Sequence, residues 1–115
     1  MAERAGFVAI SRDRNCGCCA AAHTACCRML GVTAENMVRD TSLIPDPTLR
    51  EIIGLARKCA SAPRTITAED HDRLGERGLS RSQILELIAM SGVAVYANIM
   101  ADATAVEPDE IFSTL

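Results

Sequence analysis

The chain has no tryptophan, one tyrosine and two phenylalanines among its 115 residues. With so few large rings, core bulk must come from Leu, Ile, Val, Met and Ala, which suits closely approaching helices better than a sheet sandwich. The same scarcity removes stacking platforms for bases, and no basic tract compensates, because acids and bases are interspersed to a net charge of −3. Nucleic-acid binding is therefore unsupported. Long apolar runs are missing too. The longest, Leu87 to Ala101, carries Ser91 and Asn98 and is shorter than a bilayer span. The opening MAERAGFVAI places charges where a secretory leader needs an apolar stretch. These absences predict a soluble, intracellular protein with no membrane partner. The length predicts a single domain over residues 1–115, large enough for one apolar core and too small for two.

Sustained strand-like alternation is also absent, whereas helix punctuation is dense. Residues 2–12 (AERAGFVAISR) predict a helix with Phe7 and Ile10 on an apolar stripe. Asn15 or Cys16 is expected to open a second helix, running through CCAAAHTACCRML to a left-handed cap at Gly31. Thr33 is expected to cap a short AENMVRD helix. After the loop DTSLIPDP, Asp46 followed by Pro47 is a start signal for TLREIIGLARKCA, which Pro63 stops. Thr67 and Asp70 form a capping-box-like pair for AEDHDRLGERG, which Gly78 ends. Ser80 and Gln83 form an S-x-x-Q box before the longest helix, Gln83 to about Thr104. The expected class is all-α with about six helices. The last helix, ILELIAMSGVAVYANIMADA, is apolar nearly all round and must be covered on several sides. A chain this size with few large side chains cannot cover it alone, so a homo-oligomer is expected.

Cysteine, by contrast, is abundant. There are six, and residues 15–27 (NCGCCAAAHTACC) hold five of them with a histidine. Adjacent pairs such as Cys18–Cys19 and Cys26–Cys27 cannot staple distant loops together, so in a reducing compartment the crowding points to a reactive dithiol or a metal site. On a helix opening near Cys16, Cys19 lies one turn in. His23 follows Cys19 at i+4 on the same face, roughly 6 Å away. The partial positive charge and free N–H groups of the helix N-terminus favour thiolate over thiol. A C-x-x-C pair there can close a disulfide within one turn, and His23 can accept a proton as a general base.

Other readings compete. Cys26, Cys27 and Cys59 read as packing, since free cysteine fills Ala-rich helices much as Ala or Val does. Cys18 points to another side, yet its neighbours leave room for a redox role. Zinc held by Cys16, Cys19, His23 and Cys26 would use suitable ligand types, although three of them come from one continuous helix and converge awkwardly on a tetrahedral ion. His71 in EDHDR reads as a solvated surface histidine. Met29, Met37, Met90 and Met100 read as core fillers.

The run AISRDRNCGCCAAAHTACCRMLGVTAENM resembles the signature of the alkylhydroperoxidase AhpD / carboxymuconolactone decarboxylase-like family, most closely its peroxidase-related branch. The likeness continues through LREIIGLARKCASAPRTITAEDHDRLGERGLSRSQILELIAMSGVAVYANIMADA, including the "GLS" turn and Asn98 near the end of the last helix. It spans about Glu3 to Glu110. The resemblance implies an all-α, oligomeric fold, commonly trimers or hexamers, with dithiol peroxidase activity that needs no cofactor beyond an external dithiol. Carried over, Cys19 is the thiolate that attacks peroxide, Cys16 supplies a proton and resolves the intermediate as a Cys16–Cys19 disulfide, and His23 is the base. One position departs: the family's relay glutamate, twelve residues before the first motif cysteine, is Arg4 here, beside Glu3.

The expected function is thus a cytoplasmic thiol-dependent (alkyl hydro)peroxidase or dithiol–disulfide oxidoreductase, with a peroxide substrate and a reducing dithiol or thiol protein as partners. A decarboxylase-type lyase on the same fold gives no reason for two cysteines one turn apart. Within the pair, Cys19 is expected to be the deeper, peroxide-reactive sulfur, and Cys16, at the helix edge, the one an external thiol reaches.

Overall fold

The computed structural model describes residues 2–29 and 41–111. The described residues form five α-helices and no strand: α1 (Ala2–Asp13), α2 (Gly17–Met29), α3 (Pro47–Ser61), α4 (Ala68–Glu76) and α5 (Arg81–Ala103). Short 3₁₀ turns lie at Thr41–Leu43 and Pro63–Thr65. The expected Gly31 cap, the Thr33-capped helix and Met37 lie outside the described residues.

The punctuation does what its chemistry requires. Asp46 caps α3 by accepting from the Thr48 N–H at 2.9 Å, with Pro47 at the first helical position. Thr67 with Asp70 and Ser80 with Gln83 are complete capping boxes at the starts of α4 and α5. Pro63 does more than end α3; it opens the 3₁₀ turn that follows.

α1 lies at the centre, packed against α2, α3 and α5. Every residue from Ala5 to Ser11 is buried, so the helix is enclosed on all sides rather than along the Phe7–Ile10 stripe alone. Small residues make that enclosure possible. A Cβ added at Gly6 would come within 3.0 Å of the Ala56 Cβ, so α1 and α3 touch almost backbone to backbone there. Three apolar clusters result: Ala5, Ala9, Ile44 and Ile53; Ile52, Leu55, Leu74, Ile84 and Leu87; and Phe7, Ile10, Ala56 and Ala94. Complete burial of an Ile53-sized side chain is worth about 1.5–3 kcal/mol.

α5 carries two seams. Ile84, Leu87, Ser91, Ala94 and Asn98, at steps of three and four, face inward and are buried. Leu85, Ala89, Gly92, Tyr96, Ile99 and Ala103, at steps of four and three, are exposed on another side. This double pattern is why the helix reads as apolar all round. By length and composition α5 is long enough to cross a membrane, which corrects the expectation drawn from its 15-residue apolar run. Its inward seam is nevertheless packed into the core beside α1 and α3. The methionines are less buried than expected: Met29 and Met100 are exposed and Met90 is half-buried.

Candidate functional site

Cys16 sits at a junction that ends one helix and begins the next. Asn15 adopts a left-handed φ of 57°. Its N–H donates to the Arg12 carbonyl at 3.0 Å, and the Cys16 N–H donates to the Ser11 carbonyl at 2.8 Å. That is a Schellman closure of α1. Asn15 thus closes α1 instead of opening α2, because asparagine tolerates the left-handed region. The Cys16 carbonyl accepts from the Ala20 N–H at 2.9 Å, the first bond of α2. The Cys19 backbone N–H in the first turn of α2 favours negative charge on the Cys16 sulfur.

The junction puts Cys16 out of water. Its relative exposure is 0 %, whereas Cys19 is half-buried. The expected order of accessibility is therefore reversed: the sulfur at the helix edge is covered by α1 and α5, and the one a turn further in is the more open. Charge follows the same logic. Burial, the largest influence, pushes the Cys16 thiol up to about 12. The Cys19 N–H pulls the other way and is outweighed, so the helix N-terminus does not make Cys16 the thiolate. Cys19, one turn on by the C-x-x-C spacing, adds a smaller upward push to the Cys16 thiol through its side chain.

His23 reaches the same place through Phe7. The two rings stack with centroids 3.7 Å apart and planes 24° from parallel. Phe7 belongs to the cluster against which Cys19 packs. Cys19 and His23 thus both border the Phe7 cluster, while Cys16 lies against Asn98 of α5. The side chains of Arg4 and Glu3 lie outside the described residues.

α5 supplies what the sequence did not signal as functional. Asn98 is wholly buried, its Nδ2 donates to Ser11 Oγ at 3.0 Å, and its carbonyl receives the Cys16 thiol at 3.9 Å. Its Oδ1 is buried with no hydrogen-bond partner. One turn on, Asp102 is exposed, and it adds a smaller upward push to the Cys16 thiol. Cys18 is also pushed up, by burial first and then by the charges of Cys19, Asp109, Glu107 and Asp102. The only advance signal of Asp102 is its position. A carboxylate in the last turn of a helix opposes the macrodipole at a cost of about 0.3–1 kcal/mol, and no basic residue shares that turn.

The remaining candidates fall away from chemistry. Cys27 is buried, and Cys59 packs against the Ile52–Leu87 cluster with its pKa raised by burial. Among the described residues, no group of three or more His, Cys, Asp or Glu side chains is arranged to hold a metal ion, so the four-ligand zinc set does not come together. His71 is half-buried rather than fully solvated. A cleft of about 440 Å³ between α3 and α4, lined by Glu51, Lys58, Asp70 and Arg73, contains no nucleophilic thiol.

No protein-family model and no curated protein matches the chain. Solved structures do. A crystal structure of an uncharacterized peroxidase-related protein from Silicibacter sp. superposes with a TM-score of 0.88 at 28% sequence identity. An alkylhydroperoxidase AhpD core, an uncharacterized peroxidase-related protein from Ralstonia eutropha, gives 0.88 at 23%. Both similarities cover 96% of this chain and 61% of the other, so the chain spans about three-fifths of the length of these neighbours. The chain thus shares the all-α fold of these peroxidase-related neighbours, in line with the resemblance carried by its cysteine segment.

Proposed function

We propose that the chain is a cytoplasmic dithiol peroxidase that works without a resident cofactor. The observation that carries this reading is the packing of Cys19, one turn from Cys16, against the cluster whose Phe7 stacks on His23. In the first step the Cys19 thiolate attacks a peroxide oxygen. An S–O bond forms, the O–O bond breaks, and the departing oxygen takes a proton and leaves as water or alcohol. His23 accepts the Cys19 proton. In the second step the Cys16 sulfur attacks Cys19, the S–O bond breaks, and water leaves as the disulfide forms. An external dithiol or thiol protein returns two electrons and two protons. Because Cys19 is the more open sulfur, that reductant attacks Cys19, not Cys16.

Variants test the division of labour. After one equivalent of hydrogen peroxide, mass spectrometry of the parent should show loss of two hydrogens, mapped to Cys16–Cys19. Cys16→Ser should stop at a dimedone-reactive sulfenate on Cys19, and Cys19→Ser should consume no peroxide at the site. Two free thiols and no sulfenate in the treated parent would refute the reading.

The working unit is proposed to be a homo-oligomer, a trimer or a hexamer. The exposed seam of Leu85, Ala89, Gly92, Tyr96, Ile99 and Ala103 motivates it, since apolar residues alternating with Gly and Ala allow a second helix to approach closely. Light scattering that gave a monodisperse species of the 12.3 kDa chain mass at micromolar concentration would remove this claim.

A further inference from the structure

Each turnover of the proposed reaction consumes the dithiol, so the disulfide must be readily reduced again. What surrounds the buried sulfur bears on that step. Cys16, Ser11 and Asn98 are all at 0 % relative exposure, and hydrogen bonds join them in a ring. The Cys16 N–H donates to the Ser11 carbonyl at 2.8 Å. The Asn98 Nδ2 donates to Ser11 Oγ at 3.0 Å. The Cys16 thiol donates to the main-chain carbonyl of Asn98 at 3.9 Å. The last two contacts span 87 and 82 positions of sequence, so the ring ties the α1–α2 junction to α5.

The ring closes in one oxidation state only. A thiol has a proton to donate, whereas a disulfide sulfur has none. When Cys16 joins Cys19, the Asn98 carbonyl loses its sulfur donor, and no water reaches the buried junction to replace it. In the reduced state the donor is always present, because burial keeps Cys16 protonated at neutral pH. An S–H···O bond is weak, but burial in a low dielectric strengthens it. Asn98 is the piece that holds the carbonyl in place. Its amide stays in the core although Oδ1 has no hydrogen-bond partner, a cost that an apolar side chain of the same shape avoids. What the amide supplies is the bond to Ser11, which fixes the turn of α5 that carries the carbonyl. Ser91, on the same buried seam, differs: its hydroxyl donates within its own helix, to the Leu87 carbonyl at 2.8 Å.

Resting on the dithiol reading above, we infer that Ser11 and Asn98 are positioning residues that set the redox poise of the Cys16–Cys19 pair in favour of the dithiol. In the reductive step an external dithiol attacks the disulfide and the S–S bond breaks. Two electrons and two protons pass to Cys16 and Cys19, and the donor leaves as its own disulfide. The proton returned to Cys16 remakes the bond to the Asn98 carbonyl and closes the ring. A bond made only in the reduced state raises the reduction potential, so the disulfide is a stronger oxidant and is recycled more easily.

Equilibration in glutathione redox buffers, with mass spectrometry counting the Cys16–Cys19 disulfide, gives the potential. Asn98→Leu keeps the main-chain carbonyl but frees it from Ser11, and Ser11→Ala deletes a single oxygen. Each should favour the disulfide by about threefold or more, a potential lower by about 14 mV. Ser91→Ala should lower Tm and leave the potential where it is. In the reduced parent, the infrared S–H band that Cys16→Ser removes should lie below the frequency of a free thiol, and it should rise in Asn98→Leu. An unmoved potential in both single variants would overturn the inference, and Ser11→Ala decides alone if Asn98→Leu does not fold. So would an equal shift in Ser91→Ala, which any loosening of α5 would give, or a Cys16 band at the free-thiol frequency. A parent that forms no Cys16–Cys19 disulfide even in the most oxidising buffer would instead sink the dithiol reading itself, and this inference with it.

Discussion

The corner where α3 meets α4 and the corner where α1, α2 and the end of α5 meet are built from similar parts to different ends. At the first, Asp70 is buried but fully answered: Lys58 reaches both its oxygens at 3.1 and 3.2 Å, Arg73 pairs with one, and the Thr67 N–H donates at 2.9 Å. The helix there closes on Gly78, at a φ of 93° that glycine adopts freely. At the second corner a buried Asn98 oxygen has no hydrogen-bond partner, the Cys16 thiol makes one long contact, and both helices close on left-handed residues other than glycine, Asn15 and Ala105. The first corner is optimised for stability. The second holds unpaired polar atoms and backbone strain around sulfur, as reactive sites do.

The contrast can be tested from both sides. The largest effect is expected on chemistry: His23→Ala should slow peroxide consumption by about 10²-fold. The residual rate should climb with pH, because solvent base then has to take the proton that His23 no longer accepts. An unchanged rate and profile would make His23 a packing residue, and the contrast between the corners would lose its chemical side.

Asp70→Asn should do the opposite, lowering Tm at pH 7 while the sulfenate and disulfide steps keep their parent rates. The Thr67 N–H, then Lys58, hold the Asp70 carboxyl below the usual carboxylate range. A folded pKa below the unfolded value of about 3.9 stabilises the protein above that pH, and the gain is lost as pH falls through the lowered value. The Tm gap between parent and variant should therefore narrow below about pH 4. A gap that stays constant down to pH 2 would contradict the assignment.

The smallest effect compares the two left-handed closures directly. Ala105→Gly should stabilise by about 0.5–1 kcal/mol in urea unfolding, and Gly78→Ala should destabilise by about 1 kcal/mol. Nothing lies within 4 Å of a Cβ at Gly78, so its cost is backbone strain alone. Equal and negligible changes would show that neither closure is strained.

The same two corners mark how far the sequence could be read. Local chemistry was legible: the Thr67–Asp70 and Ser80–Gln83 boxes, the Asp46–Pro47 start and the Gly78 end each depend on residues within a few positions. The C-x-x-C-x-x-x-H run was legible as a unit for the same reason. Burial was not. That Cys16 is the covered sulfur depends on α5, 82 residues away along the chain, and no pattern within α2 encodes it. The Phe7 stack on His23 is likewise a long-range meeting of helix faces. Ala105 gives no sign of its φ, because alanine is the residue expected inside a helix rather than just beyond its end.

Gly6 has a consequence for tolerance to change. α1 meets α3 at Gly6 and Ala56 with no space for a methyl group, and on the same rod the adjacent Phe7 meets His23 and Ser11, a turn later, meets Asn98. The spacing of two helices is thereby the ruler against which the imidazole and the thiol are set. A single added carbon at position 6 would lift the rod by a few tenths of an ångström and put both partners out of alignment together.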